Sequence, residues 1–267
     1  SMTTDEIKEI TGILNGTTNY MLTKMFYEGA DYDDVLKEAQ ANGFAERNPE
    51  ADVEGYDACR KIAILSSLIS GRQVDFEDIY TEGITKITAE DMKYAKAMGM
   101  TIKLLAYSKR EDQRMYALVA PFLLKPEHPL YSVNGVFNAI FVHGNVLGDA
   151  MFYGSGAGKL PTASAVVADV VDAAKHLNRN IMTMWASDKL EIEDKADAVR
   201  RFFVRMSGDE NEMLPKVEKA FGKVELIKVE GLENEFGFLT GEMMEGAYDI
   251  CARRFENSIL HMIRVEG

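Results

Sequence analysis

The chain has 267 residues, of which 46% are hydrophobic and 27% charged, so it is long enough to bury the cores of two ordinary globular domains. Its formal net charge of −13 argues against nonspecific binding to nucleic acid or to an anionic membrane. Two cysteines exclude a disulfide framework and a four-cysteine zinc site. No apolar run approaches the roughly 18 residues of a spanning helix, and we expect a cytoplasmic protein.

The first hundred residues predict helices separated by short strands. Apolar residues recur at helical spacing in three segments that end at glycine or Asn-Gly, namely 18–28, 31–42 and 52–70. Thr17 or Thr18 is the predicted cap of the first of these helices. A short strand is predicted within 9–17 and another at 82–87, and a further helix begins at Thr88.

Four apolar segments separated by turn residues follow, and we interpret them as strands at 101–107, 115–124, 135–143 and 149–153. A helix rich in Ala and Val is predicted from Leu160 to Leu177, and we expect it to share a core with these strands. This order predicts an α+β fold in which helices cover a mixed sheet.

The segment 187–197 carries seven charged residues in eleven, which is the composition of a linker. The residues beyond it predict the order strand, helix, strand, strand, helix, strand. That βαββαβ order is typical of a small ferredoxin-like domain. We therefore divide the chain into a domain at 1–186 and a second domain at 187–267.

The densest polar cluster runs from Gly43 to Lys61 and contains Glu46, Asp52 and Asp57. Asp57 and Lys61 are four residues apart in a predicted helix, so their side chains meet on one face. A carboxylate beside an ammonium suits amino-acid binding and proton transfer to a carbonyl oxygen. The same spacing also occurs in solvated ion pairs without function, and spacing alone favours that alternative.

A second cluster, Tyr153–Thr162, places Gly154, Gly156 and Gly158 between a predicted strand and a predicted helix. Glycines in this position let backbone N–H groups approach an anion at the helix N-terminus. The spacing matches neither a Walker A loop nor the Rossmann fingerprint. A tight turn and an anion-binding loop are equally compatible with it.

The four histidines are scattered through different predicted elements, and none has the spacing of a metal ligand. We predict no metal site. Cys59 shares a helix with Asp57 and Lys61, but its apolar neighbours indicate core packing.

Three segments together resemble the homoserine dehydrogenase family. Gly12–Leu22 resembles the entry to the catalytic domain of that family, and Met151–Ala165 resembles a further hallmark. The longest match agrees with the family signature at every fixed position: Ala39-x3-Gly43-Phe44-Ala45-x2-Asn48-Pro49-x2-Asp52-Val53-x-Gly55-x-Asp57-x3-Lys61.

The resemblance implies NAD(P)-dependent interconversion of L-homoserine and L-aspartate 4-semialdehyde, in threonine and methionine biosynthesis. It implies that Lys61 is the acid/base lysine and that Asp57 positions it. Glu46 would bind the substrate amino group, and Asp52 would belong to the same pocket. The Gly154–Gly158 loop would face the cofactor. With these implications the solvated-pair interpretation of Asp57 and Lys61 becomes the weaker one.

The family's nucleotide-binding Rossmann domain has no counterpart in front of Thr11. We therefore expect NAD(P) to be bound mainly by a domain outside this chain, and the chain alone to be inactive. The tail resembles a regulatory ACT domain, which implies an amino-acid effector, with threonine as the first candidate. A homodimer is also expected. The alternative function is a free-standing amino-acid-binding regulatory module.

Overall fold

The computed structural model describes residues 2, 4–111, 114–179 and 185–266. Eleven strands form one mixed sheet, whose main path runs β10-β11-β9-β13-β5-β4-β1-β6-β7, and β2 and β8 form a separate pair. The strands are β1 (Ile7–Ile13), β2 (Arg72–Gln73), β3 (Tyr80–Thr81), β4 (Thr101–Glu111), β5 (Arg114–Leu124), β6 (Phe137–Gly144), β7 (Gly148–Ser155), β8 (Ala186–Lys189), β9 (Val199–Ser207), β10 (Glu225–Ile227), β11 (Glu235–Leu239), β12 (Met243–Met244) and β13 (Ile259–Glu266).

The helices precede, follow or connect these strands, so the fold is α+β as predicted. They are α1 (Gly16–Glu28), α2 (Tyr32–Ala41), α3 (Glu50–Val53), α4 (Tyr56–Ser70), α5 (Ala89–Ala97), α6 (Lys159–Lys175), α7 (Glu210–Phe221) and α8 (Glu245–Ala252), with short 3₁₀ turns at Phe76–Asp78, Lys195–Asp197 and Arg253–Phe255. Within the described ranges, every helix is too short or too polar to span a lipid bilayer.

The central strands β4 and β5 are buried on both faces, because successive side chains of a strand point to opposite sides. Leu104 and Ala106 of β4 belong to the larger core, and α1, α4 and α5 all contact this strand. Leu105 and Tyr107 point the other way and pack with Leu130 from the segment that follows β5. The two cores hold the end of β1 in a fixed place.

Two of the predicted elements near the polar cluster differ in the structure. The long helix expected at 52–70 is two helices, α3 and α4, separated by Glu54 and Gly55. Gly55 has a φ of 82°, a conformation that glycine adopts without steric cost. The strand expected at 82–87 is a turn, in which Ile84 and Ile87 are buried. Apolar residues buried in a turn have the same composition as a short strand.

Helix α6 forms where a helix is predicted, but the expectation that it shares the core of the sheet is wrong. None of its residues is buried, and Leu160, Val166 and Val170 are among its exposed apolar side chains. The preceding strand β7 is also exposed along most of its length. This end of the molecule therefore presents an uncovered apolar surface.

The segment 187–197, predicted as a linker, is ordered by contacts with the first half of the chain. Strand β8 pairs with β2, Leu190 is buried, and the Lys189 ammonium lies 2.7 Å from an Asp78 carboxylate oxygen and 3.1 Å from Asp75. The segment is therefore held against the first half of the chain by strand pairing, by a buried leucine and by ion pairs of Lys189.

The tail has the predicted order of elements, β9-α7-β10-β11-α8-β13, with the two-residue strand β12 added before α8. Strands β10, β11, β9 and β13 lie side by side in that order, with every neighbouring pair antiparallel, and β12 pairs with β9. The last strand also pairs with β5 in parallel, with Arg264 opposite Phe122. The sheet of the tail is thus continuous with the central sheet.

Two buried ionic clusters reinforce the junction where these sheets meet. In the first, Asp91 of α5 lies 2.7 Å from Arg205 of β9 and 2.8 Å from the His261 ring of β13. Burial would raise the pKa of the Asp91 carboxyl, but the His261 and Arg205 partners outweigh it and the pKa is lowered. The carboxylate is therefore held in its charged form.

In the second cluster, Arg264 of β13 donates two hydrogen bonds to Glu245 of α8 and one of 2.8 Å to Glu82. Lys195 donates a further hydrogen bond of 2.9 Å to Glu245. Arg264 and Glu245 have side chains that are 1% and 0% exposed. The pKa of Glu245 is lowered, because the arginine contact outweighs the effect of burial.

Candidate active site

The site is built around the turn from β1 into α1. Asn15, not the predicted Thr17 or Thr18, is the N-cap of α1: its Oδ1 accepts a hydrogen bond of 2.9 Å from the backbone N–H of Thr18. The central strands hold the end of β1, and the cap fixes the direction in which α1 begins. Asn15 is buried, and its amide nitrogen points toward α3 and α4.

Two carboxylates meet this amide nitrogen. Asn15 Nδ2 donates to Asp52 Oδ1 at 2.8 Å and to Asp57 Oδ2 at 3.0 Å. Asp52 comes from the short helix α3 and Asp57 from the first turn of α4. The reversal at Gly55 between these helices is what brings the two carboxylates to one place.

Lys61 completes the cluster from the next turn of α4, as the spacing predicted. Its Nζ donates to Asp57 Oδ2 at 2.7 Å and to the backbone oxygen of Leu14 at 2.9 Å. The Lys61 side chain is 48% exposed and that of Asp57 is 32% exposed. The ammonium is therefore oriented by two acceptors and still accessible to a ligand.

Glu46 lies on the exposed loop before α3, and the structure does not join it to this cluster. Its backbone oxygen accepts a hydrogen bond from Gln40. No hydrogen bond or ion pair engages the Glu46 carboxylate among the described residues. The loop leaves that carboxylate open to solvent.

The glycine loop at the end of β7 lies at the same end of the sheet. Ile13 of β1 pairs with Ala139 of β6, and Asn138 of β6 pairs with Gly154 of β7. Adjacent strands are about 4.8 Å apart, so the loop is roughly 10 Å from the end of β1. The register thus brings together two motifs that are about 140 residues apart in the sequence.

The loop has one close approach and one open terminus. A Cβ on Gly156 would lie 2.3 Å from Asn138 Nδ2, so a side chain at this position would displace the Asn138 amide. Gly158 is the N-cap of α6 and contributes no side chain to cap it. A Cβ on Gly154 would meet nothing within 4 Å. The backbone here is open to a ligand.

These features fit an anionic group of a dinucleotide. The first N–H groups of α6 lack a side-chain cap, and helix N-termini bind phosphate and carboxylate oxygens. The Oδ1 of Asn138, beside the loop, is buried and has no hydrogen-bond partner among the described residues. Among all the residues that the structure describes, no group of three or more His, Cys, Asp or Glu residues is arranged to hold a metal ion.

Cys59 occupies the position expected of a packing residue. It is buried in the larger core, and burial raises the pKa of its thiol, which disfavours the reactive thiolate.

The contacts of Asn15 and of the Leu14 carbonyl were not found from the sequence. Asn15 was detectable only in part: an Asn in front of Gly-Thr-Thr at a helix start is a cap signal. Its bonds to Asp52 and Asp57 span 37 and 42 residues, a separation over which periodicity carries no information.

The homoserine dehydrogenase family model matches residues 1–171, which include the whole polar cluster and the glycine loop. This chain belongs to the homoserine dehydrogenase family. A homoserine dehydrogenase of Synechocystis sp. is 51% identical over 172 residues, which are 63% of this chain and 40% of that protein. The Mycobacterium leprae homoserine dehydrogenase is 39% identical and covers 100% of this chain and 64% of that protein.

The Bacillus subtilis homoserine dehydrogenase is 46% identical over 180 residues, and this chain spans 42% of its length. Among solved structures, a homoserine dehydrogenase from Thiobacillus denitrificans superposes with a TM-score of 0.87 at 32% identity, over 99% of this chain and 65% of that one. A hyperthermophilic archaeal homoserine dehydrogenase mutant in complex with NADPH superposes with a TM-score of 0.54 at 31% identity, over 64% of this chain and 49% of that one.

Proposed function

We propose that this chain supplies the substrate-binding and proton-transfer part of a homoserine dehydrogenase, which interconverts L-homoserine and L-aspartate 4-semialdehyde with NAD(P). One observation carries the proposal: the Lys61 ammonium is fixed by Asp57 and by the Leu14 carbonyl, yet about half of its side chain is exposed. A solvated pair without function needs no second acceptor to fix the ammonium.

Lys61 holds and moves the proton of the reacting oxygen. In the reducing direction its Nζ donates a proton to the aldehyde oxygen as hydride adds to the carbonyl carbon, so the alcohol forms without a free alkoxide. In the oxidising direction the neutral amine accepts the hydroxyl proton as hydride leaves. Asp57 keeps Nζ in place through the 2.7 Å contact.

The carboxylates bind the amino group of the substrate. Asp52 is only partly buried and uses one oxygen for Asn15, so its other oxygen is free to accept from an ammonium. Glu46 offers an exposed carboxylate on the adjoining loop. An ammonium bound in this way directs the remote hydroxyl of homoserine toward Lys61. Serine, which is one methylene shorter, places its hydroxyl closer to the amino group.

The cofactor supplies the hydride acceptor or donor when it is bound. Gly154, Gly156 and Gly158 would hold part of it through the open backbone and the N-terminus of α6. The NADPH complex of the archaeal relative supports a nicotinamide dinucleotide. Most of the cofactor contacts would come from a Rossmann domain outside these 267 residues, and the isolated chain would not turn over.

The test is NAD(P)-linked oxidation of L-homoserine, followed by NAD(P)H absorbance, in the complete natural polypeptide that contains this chain. We expect oxidation of L-homoserine and about 10- to 200-fold lower kcat/KM with L-serine, which lacks one methylene. Glu46→Gln should raise KM for homoserine with little change in kcat, because the amino group is bound in the ground and transition states alike. Glu50→Gln, which changes another exposed carboxylate, on α3, is the control. Equal rates with serine and homoserine would contradict the proposal.

We further propose that residues 187–267 form an ACT-like regulatory domain that binds an amino acid, with threonine as the first candidate. The order of its elements and the antiparallel order β10-β11-β9-β13 support this domain type. Calorimetry with a panel of amino acids tests it. Heat from threonine with the 267-residue chain is the expected result; no heat from any amino acid would contradict the proposal.

A homodimer formed through the first domain completes the proposal. The exposed aromatic side chains Phe137, Phe152 and Tyr153 on β6 and β7 support it, because such apolar clusters are usually covered by a partner. Light scattering at micromolar concentration should give twice the mass of the chain, and Phe152→Lys should shift the mass toward the monomer. A monomer for the unmodified protein would rule the dimer out.

A further inference from the structure

We propose that Asn15 is a positioning residue of the active site: its side-chain amide holds Asp52 and Asp57 in register and thereby fixes the ammonium of Lys61. This inference rests on the proposed function and adds to it a residue whose role is to orient the groups that touch the substrate.

The orientation of the Asn15 amide follows from its contacts. The backbone N–H of Thr18 can only donate, so the atom that it meets at 2.9 Å is the amide oxygen. That oxygen also accepts from the Thr18 hydroxyl at 3.1 Å. The nitrogen must therefore face the carboxylates, and its two hydrogens are used by Asp52 at 2.8 Å and Asp57 at 3.0 Å.

Both hydrogen bonds that fix Lys61 depend on the turn from β1 into α1. Asp57 Oδ2 is shared: it accepts from Asn15 Nδ2 at 3.0 Å and from Lys61 Nζ at 2.7 Å. The other acceptor of Lys61 is the carbonyl of Leu14, the residue before Asn15. A change at Asn15 thus reaches Asp57 directly, while its own oxygen is anchored to the backbone of α1.

The amide also separates two negative charges. Asp52 and Asp57 each lie within hydrogen-bond distance of one nitrogen, and without a donor between them their like charges would push the side chains apart. Asp57 would then either draw Lys61 away from its place or lose contact with it. In both cases the proton donor is displaced from the reacting oxygen, and a displacement of about 1 Å costs on the order of 100-fold in rate.

The competing explanation is that Asn15 only caps α1. Serine separates the two roles, because it caps helices about as well as asparagine but has no amide nitrogen to reach the carboxylates. Asn15→Ser should therefore lower kcat about 10- to 100-fold and also raise KM for homoserine, because Asp52 loses the same donor. A partly unfolded enzyme would show a lower kcat with an unchanged KM. Asn15→Asp retains the cap and the shape but replaces the donor with a third carboxylate, and it should lower kcat at least as much.

A matched control changes a helix cap far from the site. Asp209 caps α7 through a 2.7 Å hydrogen bond from the Asn211 backbone N–H. Asp209→Ala should lower the melting temperature by about 2–4 °C and leave kcat unchanged. This variant shows what the loss of a cap alone does to the enzyme.

All variants are measured in the complete natural polypeptide with L-homoserine and NAD(P). Unmodified protein without homoserine oxidation would overturn the proposed function, whereas active protein in which Asn15→Ser keeps its kcat would overturn the role of Asn15 alone. Two results would show that Asn15 acts only on stability. In the first, Asp209→Ala loses as much kcat as Asn15→Ser. In the second, Asn15→Ser is unfolded at the assay temperature while Asn15→Asp keeps full activity.

Discussion

Two regions of the continuous sheet use charged residues in opposite ways: the open site near β1 and the closed junction of β5, β13 and β9. Near β1, the ion pair of Asp57 and Lys61 is 32% and 48% exposed. At the junction of β5, β13 and β9, the pair of Glu245 and Arg264 is 0% and 1% exposed. Both pairs have short contacts, so distance alone does not distinguish them; access to a ligand does.

The junction is closed because its charges satisfy one another. Arg264 has Glu245 and Glu82 as partners, and Asp91 has Arg205 and His261. Buried charges of this kind stay charged only when they are paired. A ligand cannot approach them without breaking those contacts, so their role is to join the two halves of the chain.

The largest effect is expected at the open site, which contains Asp57 and Lys61. Lys61→Ala should lower kcat about 10²- to 10⁴-fold, because it removes the proton donor of the reaction. KM should change far less. The free energy of unfolding should change by no more than about 1 kcal/mol, since the pair is partly exposed. Steady-state kinetics with L-homoserine and NAD(P) measure the effect.

Lys24→Ala is the control for this variant. Lys24 lies on α1 and is also ion-paired, 2.6 Å from Glu38 and 3.2 Å from Glu28, but it has no contact with the site cluster among the residues described. Its kcat should stay within about 2-fold of the unmodified enzyme. Full activity in Lys61→Ala would contradict the catalytic role even though the family is established.

The next largest effect is expected at the closed junction, which contains Glu245 and Arg264. Glu245→Ala leaves the guanidinium of Arg264 buried with only Glu82 to balance it, which should cost about 3–5 kcal/mol of unfolding free energy. Chemical denaturation measures it. Lys37→Ala, which breaks an exposed pair with Asp34 on α2, should change stability by less than about 1 kcal/mol. Equal costs for the two variants would mean that the two kinds of ion pair do not differ.

Local sequence rules predicted the contacts that are local. The spacing of Asp57 and Lys61 predicted their meeting, and Thr88 begins α5 with the capping box that its sequence indicates. The tail's order of elements was also readable, because each element carries its own periodicity. These features depend on residues within a few positions of one another.

Contacts between distant segments were not predictable in this way. Asn15 reaches carboxylates 37 and 42 residues away, and β13 pairs with β5 across roughly 140 residues. The segment 187–197 has the composition of a linker, but its Lys189 pairs with Asp75 and Asp78 of the first half of the chain. Periodicity shows that a face is apolar, and it does not show what covers that face.

Lys103 on β4, the strand between β5 and β1, shows how a buried ammonium without a counter-charge affects the free energy of unfolding. Its three acceptors, Asn19 Oδ1, Val133 O and Asn134 Oδ1, are all neutral oxygens. Burial lowers the pKa of the Lys103 amine to about 7, from an ordinary 10.5. Between these values the unfolded chain binds the extra proton, so stability should rise with pH.

The expected rise from pH 7 to pH 9 is on the order of 2 kcal/mol of unfolding free energy. Lys103→Met removes the titrating group, so its stability should rise by that much less over the same range. Denaturation curves at both pH values in both proteins isolate the contribution of Lys103 from those of the other titrating groups. Parallel changes in the two proteins would show that the folded-state pKa of Lys103 is not lowered.

The smallest effect is expected on α6, the helix that follows the glycine loop. Leu160 of this helix is 81% exposed, whereas Leu118 of β5 is 0% exposed. Leu160→Ala should change the unfolding free energy of this chain by no more than about 0.5 kcal/mol, and Leu118→Ala should cost about 2–5 kcal/mol, because it leaves a cavity in the core. Denaturation of the 267-residue chain measures both. Similar costs for the two leucines would show that α6 is covered in solution. The contrast with the closed junction would then be restricted to the Asp57 and Lys61 site.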